Sequence, residues 1–291
     1  MSLWQNMSEQ ISQAVGRNYV ITERQSVGGG CINQTWRISD GEQDWFVKLN
    51  DQKHGDMFEA EAAGLAEMAS SQTIRVPVPL CTGSADGHCF LVMEWLPMGG
   101  RASLEQLGRQ LAAMHRHSAA QFGWYRNNTI GSTPQLNTEA ADWVNFWRQQ
   151  RLGYQLELAE KQGYGSEIQA LGDKLMDQFA VLFDTYQPQV SMLHGDLWGG
   201  NAAGLADATP VIFDPAFYYG DREAELAMTE LFGGFGGVFY QAYNEVWPLD
   251  AGYPVRKILY NLYHILNHMN MFGGGYQGQS IAMMQQLLAE L

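Results

Sequence analysis

Three polar residues stand out by type and spacing: Asp196, Asn201 five positions later, and Asp214. The first two lie in Leu193-His194-Gly195-Asp196-Leu197-Trp198-Gly199-Gly200-Asn201, entered through an apolar approach from Val190 to Leu193. The third closes the apolar run Val211-Ile212-Phe213. Phosphoryl transfer from ATP requires such a set: a carboxylate to orient the attacking hydroxyl, and oxygen ligands for magnesium. The pattern predicts two short buried strands that deliver Asp196, Asn201 and Asp214 to one loop edge.

The segments upstream offer the matching nucleotide groups. A short surface helix over residues 3–15 leads into strands between residues 19 and 49, beginning with Tyr19-Val20-Ile21-Thr22. Asp40-Gly41 is a turn, so the segment reads as an antiparallel meander. Gly28-Gly29-Gly30-Cys31 falls between the first two strands. Glycines there let backbone approach a polyphosphate. An isolated run of this kind also reads as a plain hairpin. Lys48 interrupts the apolar strand Trp45–Leu49, either as an edge residue with its amine in solvent or as a reach toward phosphates. The helix Met57–Ser70 carries Glu59 and Glu61 near its start. Glu61 is the choice to steady Lys48, although acidic residues near a helix N-terminus are favourable in any case.

After Val76-Pro77-Val78-Pro79 come two more strands, the second ending at Glu94-Trp95-Leu96. The backbone of that strand exit could hold an adenine. Pro97-Met98-Gly99-Gly100 follows as a linker, which divides residues 1–97, a nucleotide-binding lobe, from residues 98–291, a helical lobe for catalysis and substrate. Leu104, Leu107, Leu111 and Met114 keep helical spacing. His115 and His117 at that helix end read as structural, since no Cys or Asp flanks them as a co-ligand. Residues 122–137 form a long polar loop, and residues 140–160 and 166–186 read as helices. Asp221 is placed to cap the helix that carries Glu225.

Composition narrows the classes. The chain has 291 residues, 46% hydrophobic, enough for one large or two modest cores. Its formal net charge of -14 disfavours nucleic acid or an anionic membrane as partner. Three cysteines without paired spacing suggest a reducing compartment. With no apolar run near 18 residues and no signal-peptide pattern at the start, the expectation is a soluble cytoplasmic protein.

The glycine hairpin, strand lysine, helix glutamate, hinge, H-x-D-x-x-x-x-N and post-strand aspartate occur in the order that kinases use. His194-Gly195-Asp196 replaces H-R-D, Asp214-Pro215-Ala216 replaces D-F-G, and no A-P-E follows. These departures point to the small-molecule branch that resembles aminoglycoside and choline kinases. Within it, residues 28–32, 128–152, 193–201 and 214–228 resemble the fructosamine-3-kinase (ketosamine kinase) family. The resemblance implies an α+β, protein-kinase-like two-lobe fold. It also implies ATP-dependent phosphorylation of the sugar 3-hydroxyl of ketosamines, whose phosphorylated adducts then shed their sugar. Asp196 would then act on the sugar hydroxyl, Asn201 and Asp214 on Mg2+, and Lys48 with Glu61 on phosphates. Gly28, Gly29, Gly30 and Cys31 would cover the phosphates, and Glu94, Trp95 and Leu96 would hold adenine. Trp198, Asp221 and Glu225 are candidates for the acceptor side. Cys31 is in addition a redox candidate, which leaves a monomer or a redox-dependent dimer as the expected state.

Overall fold

The structure, a computed structural model, describes residues 2–28 and 32–291. Helix α1 (Leu3–Val15) opens on a capping box between Ser2 and Gln5 and closes at Gly16 with φ 70°. Both devices satisfy backbone groups that a helix end leaves open. Its Leu3, Met7 and Ile11 recur every four residues, so they share one face. That face packs with Tyr19, Ile38, Val47, Leu49, Phe90 and Val92. Strands β1 (Glu23–Ser26), β2 (Gln34–Ser39) and β3 (Asp44–Asp51) follow, then α2 (Gly55–Ser70), β4 (Pro79–Ala85) and β5 (His88–Glu94). The five strands form one antiparallel sheet in the order β1-β2-β3-β5-β4.

The first strand does not form at residues 19–22. Tyr19 is buried beside α1, its N–H donating to Ser12 Oγ at 2.8 Å. The strand comes instead at Glu23–Ser26, which is exposed throughout. Backbone pairing with β2 makes it a strand, and no hydrophobic alternation announces it. In β3 the alternation is clear. Val47 and Leu49 face α1, so Lys48 points to the opposite sheet face, where Glu61 of α2 meets it.

The chain continues through α3 (Leu104–His115), a small hairpin of β6 (Asn128–Ile130) and β7 (Thr133–Gln135), and α4 (Trp143–Phe146). A π-helical turn over Trp147–Leu152 joins α4 to α5 (Gly153–Lys161), and α6 (Ser166–Gln178) follows. Strands β8 (Ser191–Leu193) and β9 (Ala202–Gly204) bracket the His194–Asn201 stretch; β10 (Pro210–Ile212) and β11 (Tyr218–Gly220) come next. Helices α7 (Arg222–Leu231), α8 (Gly237–Val246), α9 (Tyr253–Phe272) and α10 (Tyr276–Ala289) complete the order. The two short strands expected to share a loop edge belong to separate sheets, since β8 pairs with β11 and β10 with β9.

Two compact units result. One comprises Met1–Ser103 with Ala202–Pro215, the other Leu104–Asn201 with Ala216–Leu291. The first is built on the antiparallel sheet and the second is mostly helical, which is the α+β class expected. A single cut after residue 97 follows from the linker; the units are not sequential, because the β9–β10 hairpin packs with the sheet. Gly100 N–H donates to Gly204 O at 3.0 Å, Ser103 N–H to Ala208 O at 2.9 Å, and Ile212 N–H to Arg75 O at 3.0 Å. The approach is close enough to require glycine. A Cβ on Gly100 would stand 1.9 Å from Leu205 O, and one on Gly204 would stand 2.4 Å from Ala102 N. Gly204→Ala is therefore expected to cost about 1–3 kcal/mol in urea unfolding. The amides of residues 202–212 should lose hydrogen-exchange protection more than those of β3 and β5.

Candidate active site

In the sheet unit, Lys48 is buried and its Nζ lies 2.5 Å from Glu61 Oε1 and 2.6 Å from Asp214 Oδ1. Burial alone would lower the lysine pKa. The carboxylates of Glu61 and Asp214 more than reverse that, so the pKa is raised and the ammonium is held charged. Glu61 is raised as well, because burial and the neighbouring Asp214 outweigh the attraction of Lys48. Asp214 uses only Oδ1 here, and its side chain is 43% exposed. It sits at φ 59° in the left-handed region. A non-glycine residue there is strained by about 1–3 kcal/mol, and such residues gather at functional sites.

In the helical unit, the loop after β8 is held mainly through its backbone. Gly195 N–H donates to Glu225 Oε2 at 2.7 Å, and Asp196 N–H donates to His194 Nδ1 at 3.2 Å. Asn201 Nδ2 donates to Asp196 O at 2.8 Å and to Asp196 Oδ2 at 3.3 Å. Those bonds use the amide nitrogen, so Asn201 Oδ1 is the atom left to accept or ligate. Gly195 has φ 85°, and a Cβ there would meet Ala216 O at 2.0 Å. The arginine of H-R-D has no room in this loop. Gly200 lies beneath the Trp198 indole, where a Cβ would come within 2.3 Å of the ring. The indole also meets Phe232 edge-on at 6.3 Å, and Trp198 remains 39% exposed.

Two acceptor-side candidates lie in the interior, Asp221 as the helix cap that its position also allowed. Asp221 is fully buried and accepts from Tyr186 Oη at 2.9 Å, Tyr260 Oη at 2.5 Å and Glu223 N–H at 3.1 Å. Glu225 is 2% exposed and is taken up by Gly195 and His115. Every oxygen of this pair is committed inside the fold, so neither carboxylate is available to a substrate. Asp221 is the N-cap of α7, and Glu225 lies in the first turn of that helix. A buried acid requires donors, and the Leu107, Leu111, His115 spacing put one on the buried face of α3; that was the signal for His115. The Glu94 carboxylate pairs with Arg75, Trp95 stacks on Phe46 at 6.3 Å, and Leu96 O accepts from Met98 N–H at 2.8 Å. Among the described residues nothing comes within 4 Å of where a Cβ on Gly28 would stand. Gly29, Gly30 and Cys31 lie outside the described residues. Cys81 and Cys89 are free thiols.

Among the described residues no group of three or more His, Cys, Asp or Glu could enclose a metal ion. Asp214 in the sheet unit keeps one carboxylate oxygen uncommitted, and Asn201 in the helical unit keeps its amide oxygen; each is a hard donor of the kind magnesium prefers. Magnesium is commonly bound by one or two protein oxygens, with phosphates and water completing its shell. Each of these residues, taken by itself, suits that mode, and among the described residues neither is part of a protein cage.

A strand lysine held by a helix glutamate, an aspartate after a strand, and an aspartate and asparagine on one loop are the groups of a kinase of the two-lobe α+β class. Comparison with known proteins gives the narrower assignment. The family model for fructosamine kinase matches residues 3–290, and the chain belongs to that family. A Synechocystis sp. protein named probable ketoamine kinase is 51% identical over 98% of this chain and 97% of its own length. The chloroplastic protein-ribulosamine 3-kinase of Arabidopsis thaliana is 44% identical over 95% of this chain and 86% of its own. The crystal structure of a candidate fructosamine-3-kinase from Haemophilus somnus superposes with a TM-score of 0.89 at 30% identity, covering 99% of this chain and all of that one.

The buried lysine offers a sharp test. In Lys48→Met, Glu61 loses its counter-charge, and breaking a buried pair of this kind costs about 3–5 kcal/mol. The folded pKa of Glu61, already raised, then rises further. A raised carboxyl contributes stability that is present below its unfolded value and is lost as pH rises through the folded one. The destabilisation measured by urea unfolding should therefore be largest at pH 8 and shrink toward pH 5.

Proposed function

We propose that the chain is an ATP-dependent ketosamine 3-kinase: it transfers the γ-phosphoryl group to the sugar 3-hydroxyl of fructosamine or ribulosamine adducts, and so promotes deglycation of amines or proteins. The observation that carries this reading is family membership over residues 3–290, joined to a Lys48–Glu61–Asp214 cluster and an Asp196–Asn201 loop with both ends of the chemistry represented.

The roles follow from the chemistry of each group. Asp196, oriented by Asn201 and by its own amide on His194, accepts or orients the proton of the attacking hydroxyl. Lys48, fixed by Glu61, offers its ammonium to phosphate oxygens. Asp214 Oδ2 and Asn201 Oδ1 are the oxygens proposed for Mg2+, which when bound neutralises charge on the phosphates. At the exit of β5, the Leu96 carbonyl is engaged with Met98, and the backbone of residues 94–96 is the proposed seat of adenine. The half-exposed Trp198 indole, spread over Gly200, is the proposed acceptor-side surface. The free thiols of Cys81 and Cys89 support a reducing, cytoplasmic setting.

The test is ATP consumption with fructoselysine and ribuloselysine against aminoglycosides and choline. Turnover confined to the ketosamines is expected; equal turnover on an aminoglycoside overturns the substrate class. Asp196→Asn should lower kcat by about 10²–10⁴-fold, the contribution typical of a positioned base, with little change in the KM for ATP. Trp198→Ala should instead raise the KM for the ketosamine.

A further inference from the structure

Behind the Asp196 loop lies a chain of hydrogen bonds that no substrate reaches. Its inner end is the Gly195 amide, which donates to Glu225 Oε2 at 2.7 Å. The other carboxylate oxygen, Oε1, lies 2.7 Å from His115 Nε2. His115 Nδ1 lies 2.7 Å from Tyr243 Oη. Arg222 Nη1 donates to the same hydroxyl at 3.3 Å, and its guanidinium is anchored on Trp247 O at 2.9 Å and Pro248 O at 2.6 Å. The His115 and Glu225 side chains are wholly buried. The imidazole is also braced edge-on by the Tyr243 ring at 5.6 Å. Three helices meet here: α3 brings His115, α7 brings Arg222 and Glu225, and α8 brings Tyr243.

A carboxylate in the interior can turn about its last torsion unless both oxygens are bound. Here one oxygen holds the loop and the other is fixed by a histidine whose second nitrogen is fixed in turn. The Gly195 amide is one peptide before Asp196, and a Cβ at 195 would collide with Ala216 O, so the loop has little freedom to compensate. Turning Glu225 away would remove the bond that the part-buried Gly195 N–H makes and release the peptide that aims Asp196. Losing that bond shifts the loop away from its aligned state.

We infer that His115 is a positioning residue for phosphoryl transfer: through Glu225 it fixes the Gly195 peptide and thereby the direction of the Asp196 carboxylate. It touches neither nucleotide nor acceptor. Its effect falls on kcat and spares the binding of ATP, whose lysine is carried by the sheet unit. The inference rests on the kinase reading, and the two are separable. Wild-type turnover of a ketosamine tests the reading; the ratio of variant to wild-type kcat tests the positioning role.

The experiment compares His115→Leu, His115→Gln and Tyr243→Phe in the full chain. Each is checked for fold by circular dichroism and urea unfolding, and each is assayed for kcat and for the KM of ATP and of ketosamine. Leucine keeps the volume and removes both hydrogen bonds. Glutamine can still donate to Glu225 through its amide. Expected is a fall in kcat of about 10- to 100-fold for His115→Leu, the scale set by losing one buried hydrogen bond, with the KM for ATP within about twofold. His115→Gln should recover most of that loss. Tyr243→Phe, which removes only the outer bond, should lose a few-fold in kcat while remaining folded, so the series stays informative if His115→Leu does not fold. Wild-type kcat in folded His115→Leu, or in Tyr243→Phe if leucine does not fold, overturns the role. So does a loss in His115→Gln as deep as in His115→Leu, or a loss that appears only in KM.

Discussion

The site turns on one buried cation. A lysine in mid-strand, on the sheet face that α2 covers, gives up hydration worth several kcal/mol, and a single carboxylate at 2.5 Å returns only part of it. Two carboxylates share Lys48, one from the neighbouring helix and one from residue 214, so the interior carries a net negative charge when both are ionised. That surplus has consequences on both sides. It raises the lysine pKa, which keeps the ammonium available for an anionic ligand at any physiological pH. It also raises Glu61 and leaves Asp214 half exposed, with one oxygen uncommitted. The arrangement is short of positive charge, and a cation bound by phosphates would supply it.

The loop that carries Asp196 is organised on a different principle. It is aimed by peptide groups and by the absence of side chains. Gly195 takes a left-handed conformation because Ala216 O occupies the space of a Cβ, and Gly200 is bare because the Trp198 indole lies over it. Its polar support comes from buried side chains of α3 and α7. Loop direction is therefore a property of the helical core, while the charge proposed to meet phosphate is a property of the sheet unit. Substitutions in the two units should separate into effects on turnover and effects on nucleotide binding.

Much of this was legible in the chain. The capping box and left-handed glycine of α1, the apolar runs of β3 and β5 and the helical spacing of α3 are local patterns that tertiary context did not override. Residue type and order were enough to pair Glu61 with Lys48, which the structure joins at 2.5 Å, and to single out Asp196, Asn201 and Asp214 as candidates. What failed to show is what depends on long-range pairing. β1 is polar and exposed, so only its partner strand defines it. The return of residues 202–215 to the sheet unit depends on hydrogen bonds donated by Gly100 and Ser103 and accepted by the Arg75 carbonyl, which no local period records. Asp221 and Glu225 resemble surface acids on an amphipathic helix; only the tyrosines, His115 and the Gly195 amide around them show that they are interior.

The discontinuity of the sheet unit also sets an order on synthesis. Lys48 leaves the ribosome 13 residues before Glu61 but 166 residues before Asp214. At roughly 5–20 residues per second the interval is on the order of ten to thirty seconds. For that time the sheet lacks the β9–β10 hairpin and its lysine has one counter-charge instead of two. The nascent N-terminal region is thus an incomplete unit that a chaperone or a protease can meet, and the whole helical insertion from Leu104 to Asn201 must be made before it is closed.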